Sequence, residues 1–237
     1  MARIWTYIFV VPLFALATIA CGAFSIAASL FDKSGRVMIG AARVWARMLV
    51  KIAGVHVTVE GLEKIDRDGA YVFASNHLSY MDTPVVLSRI PVQFRFMAKK
   101  GLFQIPFLGT HLAQAGHIPV PRENPRAAVK TLSLAGEMIR DHRISVLVFP
   151  EGGRSVDGTL HEFKEGAAYI AIKAGVPIVP LAVIGTREVL AMHTAVFHPG
   201  PVTLRIGDQI PTQGLTMRDR ESLTAMLRDR ISGMLAR

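Results

Sequence analysis

The sequence predicts an α/β fold carried behind an N-terminal membrane-binding helical segment, and three observations predict it. From Val55 onward, short runs of strand character (55–60, 70–74, 92–97, 144–149, 202–206) alternate with helical patterns, notably after Asp82 and over 218–235. The 237 residues suffice for one sizeable core and do not by themselves demand a second. Residues 4–31, ahead of all this, are 28 positions without a charged side chain. The expected division is a membrane-associated helical segment at 1–54 and an α/β domain at 55–237.

As a straight helix the uncharged run would be about 42 Å long, against a bilayer core of roughly 30 Å. It can span with tilt, or break at Pro12 or Gly22 into a re-entrant pair. Residues 16–21 also hint at a lipoprotein cleavage site before Cys21, though only Arg3 supplies a basic flank and Thr18 fits poorly. Lys33, Arg36, Arg43, Arg47 and Lys51 follow the run, which by the positive-inside rule leaves the rest of the chain on the cytoplasmic face of the inner membrane. The last four fall at spacings of seven, four and four, one basic stripe on a helix whose other surface holds Val37, Val44, Trp45, Met48 and Val50. That pattern suits a helix in the headgroup plane, and equally a core-packed helix with a solvated face.

Residues 55–60 alternate as a strand and lead into a Gly/Asp-rich turn at 61–69. The apolar run 70–74 then reads as a short buried strand, followed by Ser75-Asn76-His77-Leu78-Ser79-Tyr80-Met81-Asp82 and a helix with Pro84 in its first turn. In one continuous helix, residues five apart would point about 140° from each other, so a His77–Asp82 contact needs His77 in the turn and Asp82 at the helix start. Such a pair is a base held in one tautomer by its carboxylate. A capped turn around a satisfied, buried histidine is the plainer reading of the same residues.

Between Thr83 and Lys130 there are seven Lys/Arg residues against one acid, Glu123. This is a solvated basic face or, beside an anionic membrane, about 1 kcal/mol of attraction per residue. The proline-broken stretch 102–109 suits either core or the floor of an acyl groove. The strand at 144–149 ends in Pro150-Glu151-Gly152-Gly153-Arg154-Ser155, where glycine backbone lets N–H groups approach an anion and a guanidinium can fork onto phosphate oxygens. Pro177 and Pro180 within 176–183 suggest an edge or interrupted strand. The helix at 218–235 has a capping signal in Thr216 and Asp219.

Composition narrows the partners. The single cysteine cannot form an intrachain disulfide, and the eight histidines include no HExxH pair or zinc spacing, so no metal is expected. A net charge of +9 favours anionic partners, and a mean hydropathy of +0.35 points to membrane lipid and phosphate over nucleic acid.

Four blocks in order now identify a resemblance: Asn76-His77-x4-Asp82; Lys99-Lys100-Gly101-Leu102-Phe103 to Pro106-Phe107-Leu108-Gly109, with Pro121-Arg122 downstream; Phe149-Pro150-Glu151-Gly152-Gly153-Arg154-Ser155; and Val176-Pro177-Ile178-Val179-Pro180. Across about residues 70–185 the chain resembles the glycerolipid acyltransferase superfamily, in particular its bacterial lysophosphatidic acid acyltransferases. Gly153 stands where the family usually has threonine, and Gly101 where glutamate is frequent. The resemblance implies a mixed α/β sheet flanked by helices. It implies His77 as the general base, Asp82 as its orienting carboxylate, and Arg154, Lys100 and Arg122 at the acceptor phosphate. Asn76, Glu151, Gly152 and Gly153 fall in the blocks that shape the substrate site. Acyl-CoA or acyl carrier protein would donate the acyl group to lysophosphatidic acid, giving phosphatidic acid with no metal or organic cofactor. Another lysolipid acceptor (lyso-ornithine lipid or a lysophospholipid) and a non-catalytic lipid-binding protein are the alternatives.

Overall fold

The structure is a computed structural model that describes residues 2–32, 35–121 and 124–236. Helix α1 (Ala2–Ser29) runs unbroken through Pro12 and Gly22, so the re-entrant break does not occur. Proline lacks an N–H and crowds the turn before it. The chain absorbs this in a π-helical turn at Thr6–Val10, where Val11 N–H reaches Thr6 O. The buried residues of α1, Thr6, Val10, Ala17 and Ser25, lie on one stripe. Polar clamps fasten that stripe from end to end. Thr6 Oγ1 accepts Phe197 N–H at 3.0 Å, Trp45 Nε1 donates to Thr18 Oγ1 at 3.0 Å, and Ser25 Oγ meets His111 Nδ1 at 2.8 Å. The outer surface of α1 is apolar and exposed, with Ile8, Phe9, Leu16 and Phe24 facing outward.

Helix α2 (Arg36–Ile52) packs along α1 and buries Met38, Ile39, Ala42, Ala46, Leu49 and Val50. Asp32 Oδ2 accepts Val37 N–H at 2.6 Å, an acid at a helix start where the dipole favours it. The basic stripe is only partly as expected. Arg36, Arg47 and Lys51 are exposed beside Val37, Val44 and Met48, whereas Arg43 turns inward to donate to Val92 O at 2.5 Å, and burial lowers its pKa. Lys33 lies outside the described residues.

The α/β part follows as β1 (Val55–Glu60), β2 (Val72–Ser75), α3 (Asp82–Arg89), β3 (Phe94–Lys99), α4 (Leu108–Gln114), β4 (Ile118–Val120) and α5 (Pro125–His142). Then come β5 (Ser145–Val148), α6 (Gly166–Ala174), β6 (Ile178–Ile184), α7 (Thr186–Val189), β7 (Gly200–Ile206) and α8 (Arg220–Leu235). The strands form one mixed sheet in the order β1-β7-β6-β2-β5-β3-β4, parallel throughout except for the β6–β7 pair. Alternation along β2 shows how the sheet divides the core. Phe73 packs with Phe94, Leu147 and Leu181 against α2 and α3, while Val72 and Ala74 pack with Val146, Ile170 and Leu227 on the side of α5, α6 and α8. The capping box of Thr216 and Asp219 forms ahead of α8.

One expectation is corrected. Strand β6 lies inside the sheet, uninterrupted and buried, despite Pro180. Within a strand, a residue's N–H and C=O point to the same side, and Pro180 O accepts Gly207 N–H at 2.9 Å. The missing N–H therefore faces the β7 side just past Ile206, the last residue of β7, and costs the β2 ladder nothing. Of the two readings of 102–109, core gives way to the wall of a groove: Leu102, Ile105 and Leu108 are exposed, Phe107 is 77% exposed, and all four line the cavity described below.

His117, at the entry to β4, is buried and accepts Phe96 N–H on Nδ1 at 2.9 Å, joining β4 to β3. Accepting there requires a neutral ring. Burial first, then the positive neighbours His111 and Arg95, push its pKa down to about 3. The unfolded chain takes up a proton near the ordinary value of about 6.5, while the fold refuses it. Stability is therefore retained above about 6.5 and lost as pH falls toward 3, at up to about 1.4 kcal/mol per pH unit. His117→Asn keeps an acceptor for Phe96 N–H and removes the titration. Melting temperatures measured from pH 7 to pH 4 should fall less steeply in this variant than in the parent.

Candidate active site

Strands β6, β2, β5 and β3 are consecutive parallel neighbours, so the loops leaving their C-terminal ends meet at one edge of the sheet. That edge is where open α/β sheets bind ligands. Three of the four sequence blocks converge there because of this topology: His77 follows β2, Glu151 to Arg154 follow β5, and Lys99 ends β3, whereas the fourth block, 176–180, enters β6 at the opposite edge, and Thr186 follows the other end of that strand.

The turn from β2 to α3 brings His77 Nδ1 within 2.7 Å of Asp82 Oδ2. Asp82 is fully buried and sits in the first turn of α3. It receives Leu78 N–H at 2.7 Å and Ser79 N–H at 2.8 Å on Oδ2, and the Thr186 hydroxyl at 2.5 Å on Oδ1. With three donors converging on it, this carboxylate acts as an acceptor, so His77 Nδ1 must carry the hydrogen it shares. That fixes the tautomer and leaves the Nε2 lone pair to take up a proton. The imidazole is stacked on Phe149, centroids 3.8 Å apart and planes 13° from parallel, which holds its orientation from the second side.

The β5 loop is hydrogen-bonded to the same turn. Glu151 Oε1 accepts His77 N–H at 2.8 Å, Glu151 Oε2 accepts His161 N–H at 3.0 Å, and Ser155 N–H donates to His77 O at 2.8 Å. Burial raises the Glu151 pKa, opposed by these two backbone donors. Arg154, one residue before that last bond, lies with its guanidinium carbon 3.9 Å from the centroid of the Tyr80 ring, a cation–π stack beside the catalytic turn. Gly152 has φ 74°, the left-handed region that favours glycine, and space beside Gly153 is open.

His77, Gly152, Gly153 and Arg154 all line one cavity of about 1730 Å³, which extends past Phe96 and Leu102 to the inner side of α1. The remaining expected residues fall less simply. Asn76 is 1% exposed and donates Nδ2–H to Val183 O at 2.9 Å while Oδ1 accepts Val183 N–H at 2.8 Å. Its amide is committed to tying β2 to β6, so a substrate contact is corrected to a positioning one. Glu151 likewise spends both oxygens on backbone and shapes the loop. Lys100 is exposed and does not line the cavity, because the 3-10 turn Lys100–Gln104 begins there; Lys99, one residue earlier, does line it. Arg122 lies outside the described residues. Among the described residues, no three His, Cys, Asp or Glu side chains are grouped so as to hold a metal ion.

Sequence reasoning missed Thr186, which is 104 positions from Asp82. Its only local signal is Gly185, at φ 91°, where an added Cβ would meet Pro201 O at 2.5 Å. A glycine so constrained marks a turn whose next residue is tightly placed.

An oriented histidine–carboxylate pair and an arginine-bearing glycine loop thus share the C-terminal edge of a mixed sheet, an arrangement able to accept a proton beside an anion-binding group. Residues 56–184 match the family model described as Acyltransferase, and the chain belongs to the acyltransferase family. Among named relatives, the 1-acyl-sn-glycerol-3-phosphate acyltransferase of Limnanthes douglasii is 31% identical over 182 residues, 77% of this chain and 64% of that protein. The chain thus spans a little under two thirds of that relative's length. The Saccharomyces cerevisiae protein of the same name is 30% identical over 222 residues, 91% of this chain and 73% of the relative. The crystal structure of the 1-acyl-sn-glycerophosphate (LPA) acyltransferase PlsC from Thermotoga maritima aligns with a TM-score of 0.82 at 25% identity, covering 100% of this chain and 99% of that one.

Thr186→Val should lower kcat for acyl transfer about tenfold or more, the scale of a hydrogen bond to a charged group. The KM values should change little, and Thr186→Ser should restore the rate. Steady-state kinetics with melting curves on the three proteins check this; a Thr186→Val rate equal to the parent's removes the assignment.

Proposed function

We propose that this chain transfers a fatty acyl group from an acyl thioester, acyl-CoA or acyl carrier protein, to the free sn-2 hydroxyl of lysophosphatidic acid, yielding phosphatidic acid. The observation that carries the reading is the shared cavity: His77, oriented by Asp82, and Arg154 open onto one mostly apolar space. The naming of the relatives as 1-acyl-sn-glycerol-3-phosphate acyltransferases supports the same acceptor.

His77 Nε2 takes the proton of the acceptor hydroxyl as its oxygen attacks the thioester carbonyl carbon. The C–S bond then breaks, and the departing thiolate recovers the proton from the imidazolium. A thioester is already activated, so positioning and one proton transfer suffice, without a covalent enzyme intermediate or a cofactor. The guanidinium of Arg154 anchors the acceptor phosphate.

Residues 1–54 act as the membrane-associated segment and 55–237 as the catalytic domain. The division is one of role, since Val10, Ala42, Ala46 and Val50 share a core with Phe73 and Phe94. Helix α1 is long and apolar enough to cross a bilayer. It is nonetheless clamped to the domain at both Thr6 and Ser25, which suits a helix that beds the cavity into one leaflet. The basic residues after α1 favour the cytoplasmic face.

His77→Ala should reduce transfer by about 10²–10⁴-fold, the range of general-base catalysis, with membrane attachment retained. A labelled-thioester assay on membranes reads it, and unaltered turnover would falsify the base assignment. Arg154→Ala should raise KM for phosphate-bearing acceptors and spare phosphate-free ones. A mass-spectrometric panel of lysophosphatidic acid, glycerol-3-phosphate, lyso-ornithine lipid and lysophosphatidylcholine both identifies the acceptor and tests this.

A further inference from the structure

Residues 100–107 join β3 to α4 and present more apolar surface than the fold uses. Leu102, Ile105, Phe107 and Leu108 are all exposed, Phe107 the most. The segment is closed by its own backbone. Ile105 N–H donates to Leu102 O at 3.3 Å, Gly109 N–H to Ile105 O at 2.7 Å and His111 N–H to Phe107 O at 3.0 Å. A further bond, Leu108 N–H to Pro106 O at 2.7 Å, spans Phe107 alone. With Phe107 at φ 62° and ψ −52°, this is the rare, strained form of the γ-turn. Glycine would sit there at ease. A phenylalanine kept in that conformation with its ring in the open has a task outside the fold.

The surroundings indicate what the ring meets. Ser25 of α1 is hydrogen-bonded to His111, one helical turn after Phe107. The apolar tip therefore stands beside the end of α1, where Phe24, Leu30 and Phe31 are exposed as well. The neighbouring elements on the chain are basic. Lys99 and Lys100 are exposed, and Lys99 is level with Val120 across the β3–β4 pair. Helix α5 follows β4 and exposes Arg126, Val129 and Lys130 on one face. The one acid between residues 99 and 136 is Glu123, which lies outside the described residues. An apolar tip between these cations and the end of α1 complements hydrocarbon beneath anionic headgroups.

We propose that the segment 102–108 enters the bilayer as a wedge led by Phe107, a lipid contact separate from α1, and that the lysolipid reaches the cavity past it. Leu102, Ile105, Phe107 and Leu108 also line the cavity, so one set of side chains borders lipid on one side and the site on the other. A lysolipid taken from the leaflet by this route keeps its tail out of water throughout. The doorway rests on the acyl-transfer reading above, whereas the insertion stands without it.

The test uses the full chain in phosphatidylcholine–phosphatidylglycerol vesicles. Cys21 is the single cysteine, so a spin label is placed at Phe107→Cys, or at Ile105→Cys, in a Cys21→Ala background. Gln213→Cys is the aqueous control, exposed just past Ile210, which bridges to the start of β6 at the opposite edge of the sheet. The label at either wedge position should be reached by oxygen and shielded from an aqueous nickel chelate, the reverse of the control. Nickel access equal to the control's overturns the insertion. Shielding from both reagents means that protein, such as a second copy of this chain, covers the tip, and overturns it too. Phe107→Gly then relieves the turn and removes the ring. Its melting temperature should match or exceed the parent's. The ratio of kcat/KM for vesicle-borne lysophosphatidic acid to that for a monomeric short-chain analogue should fall about tenfold, the scale of withdrawing a phenyl ring from hydrocarbon. An unchanged ratio overturns the doorway. Absence of transfer by the parent overturns the acyl-transfer reading and the doorway with it, while the label still decides the insertion.

Discussion

A carboxylate with no exposure to water is tolerable only if its oxygens are met by donors, and Asp82 imposes that demand on everything around it. Leu78 and Ser79 can both turn their N–H groups to it only if the chain between β2 and α3 folds back over the helix start. The Thr186 hydroxyl can reach it only if β6 lies directly beside β2 and ends in the tight turn at Gly185. The fourth place is then left for His77. The imidazole is oriented because a buried charge must be satisfied, so the stability of the turn and the base role proposed for His77 call on the same four contacts.

The cavity extends the logic outward. Its polar end lies at the strand termini, where Arg154 is brought onto the same cavity as His77 by a loop tied to the same turn through Glu151 and Ser155. Its apolar end reaches the inner side of α1, whose outer side is exposed hydrocarbon. Exposed apolar surface on that scale is unfavourable in water and favourable in lipid. The function proposed above uses this gradient in one orientation, with the anionic head of the acceptor at the loop and its acyl tail toward α1.

Much of this was legible in the chain and some was not, for physical reasons. Features set by neighbours in sequence came through: the bounds of β1, the helix starting at Asp82, the capping box at Thr216, and His77 held apart from Asp82 by a turn. Features set by distant partners did not. Pro180 suggested a sheet edge because a sequence does not say which side of a strand has run out of neighbour. Arg43 belonged to a regular basic stripe until Val92 O claimed it. Lys99 and Lys100 are indistinguishable until the 3-10 turn sends one away from the cavity. Thr186 had no local signal beyond the glycine before it, since it acts on Asp82, a residue brought near by the sheet order.

Asn76 shows why the site is rigid where it must be. Its amide both donates to and accepts from Val183, continuing the β2–β6 pairing one step past the last strand residue. The next residue, His77, then has its N–H held by Glu151 and its carbonyl held by Ser155. Backbone fixed on both sides and a ring fixed by Asp82 and Phe149 leave the base little freedom to lose when substrate arrives. Misplacement by about 1 Å can cost on the order of 10²-fold in rate, so under the proposed mechanism this prior fixation lowers the barrier.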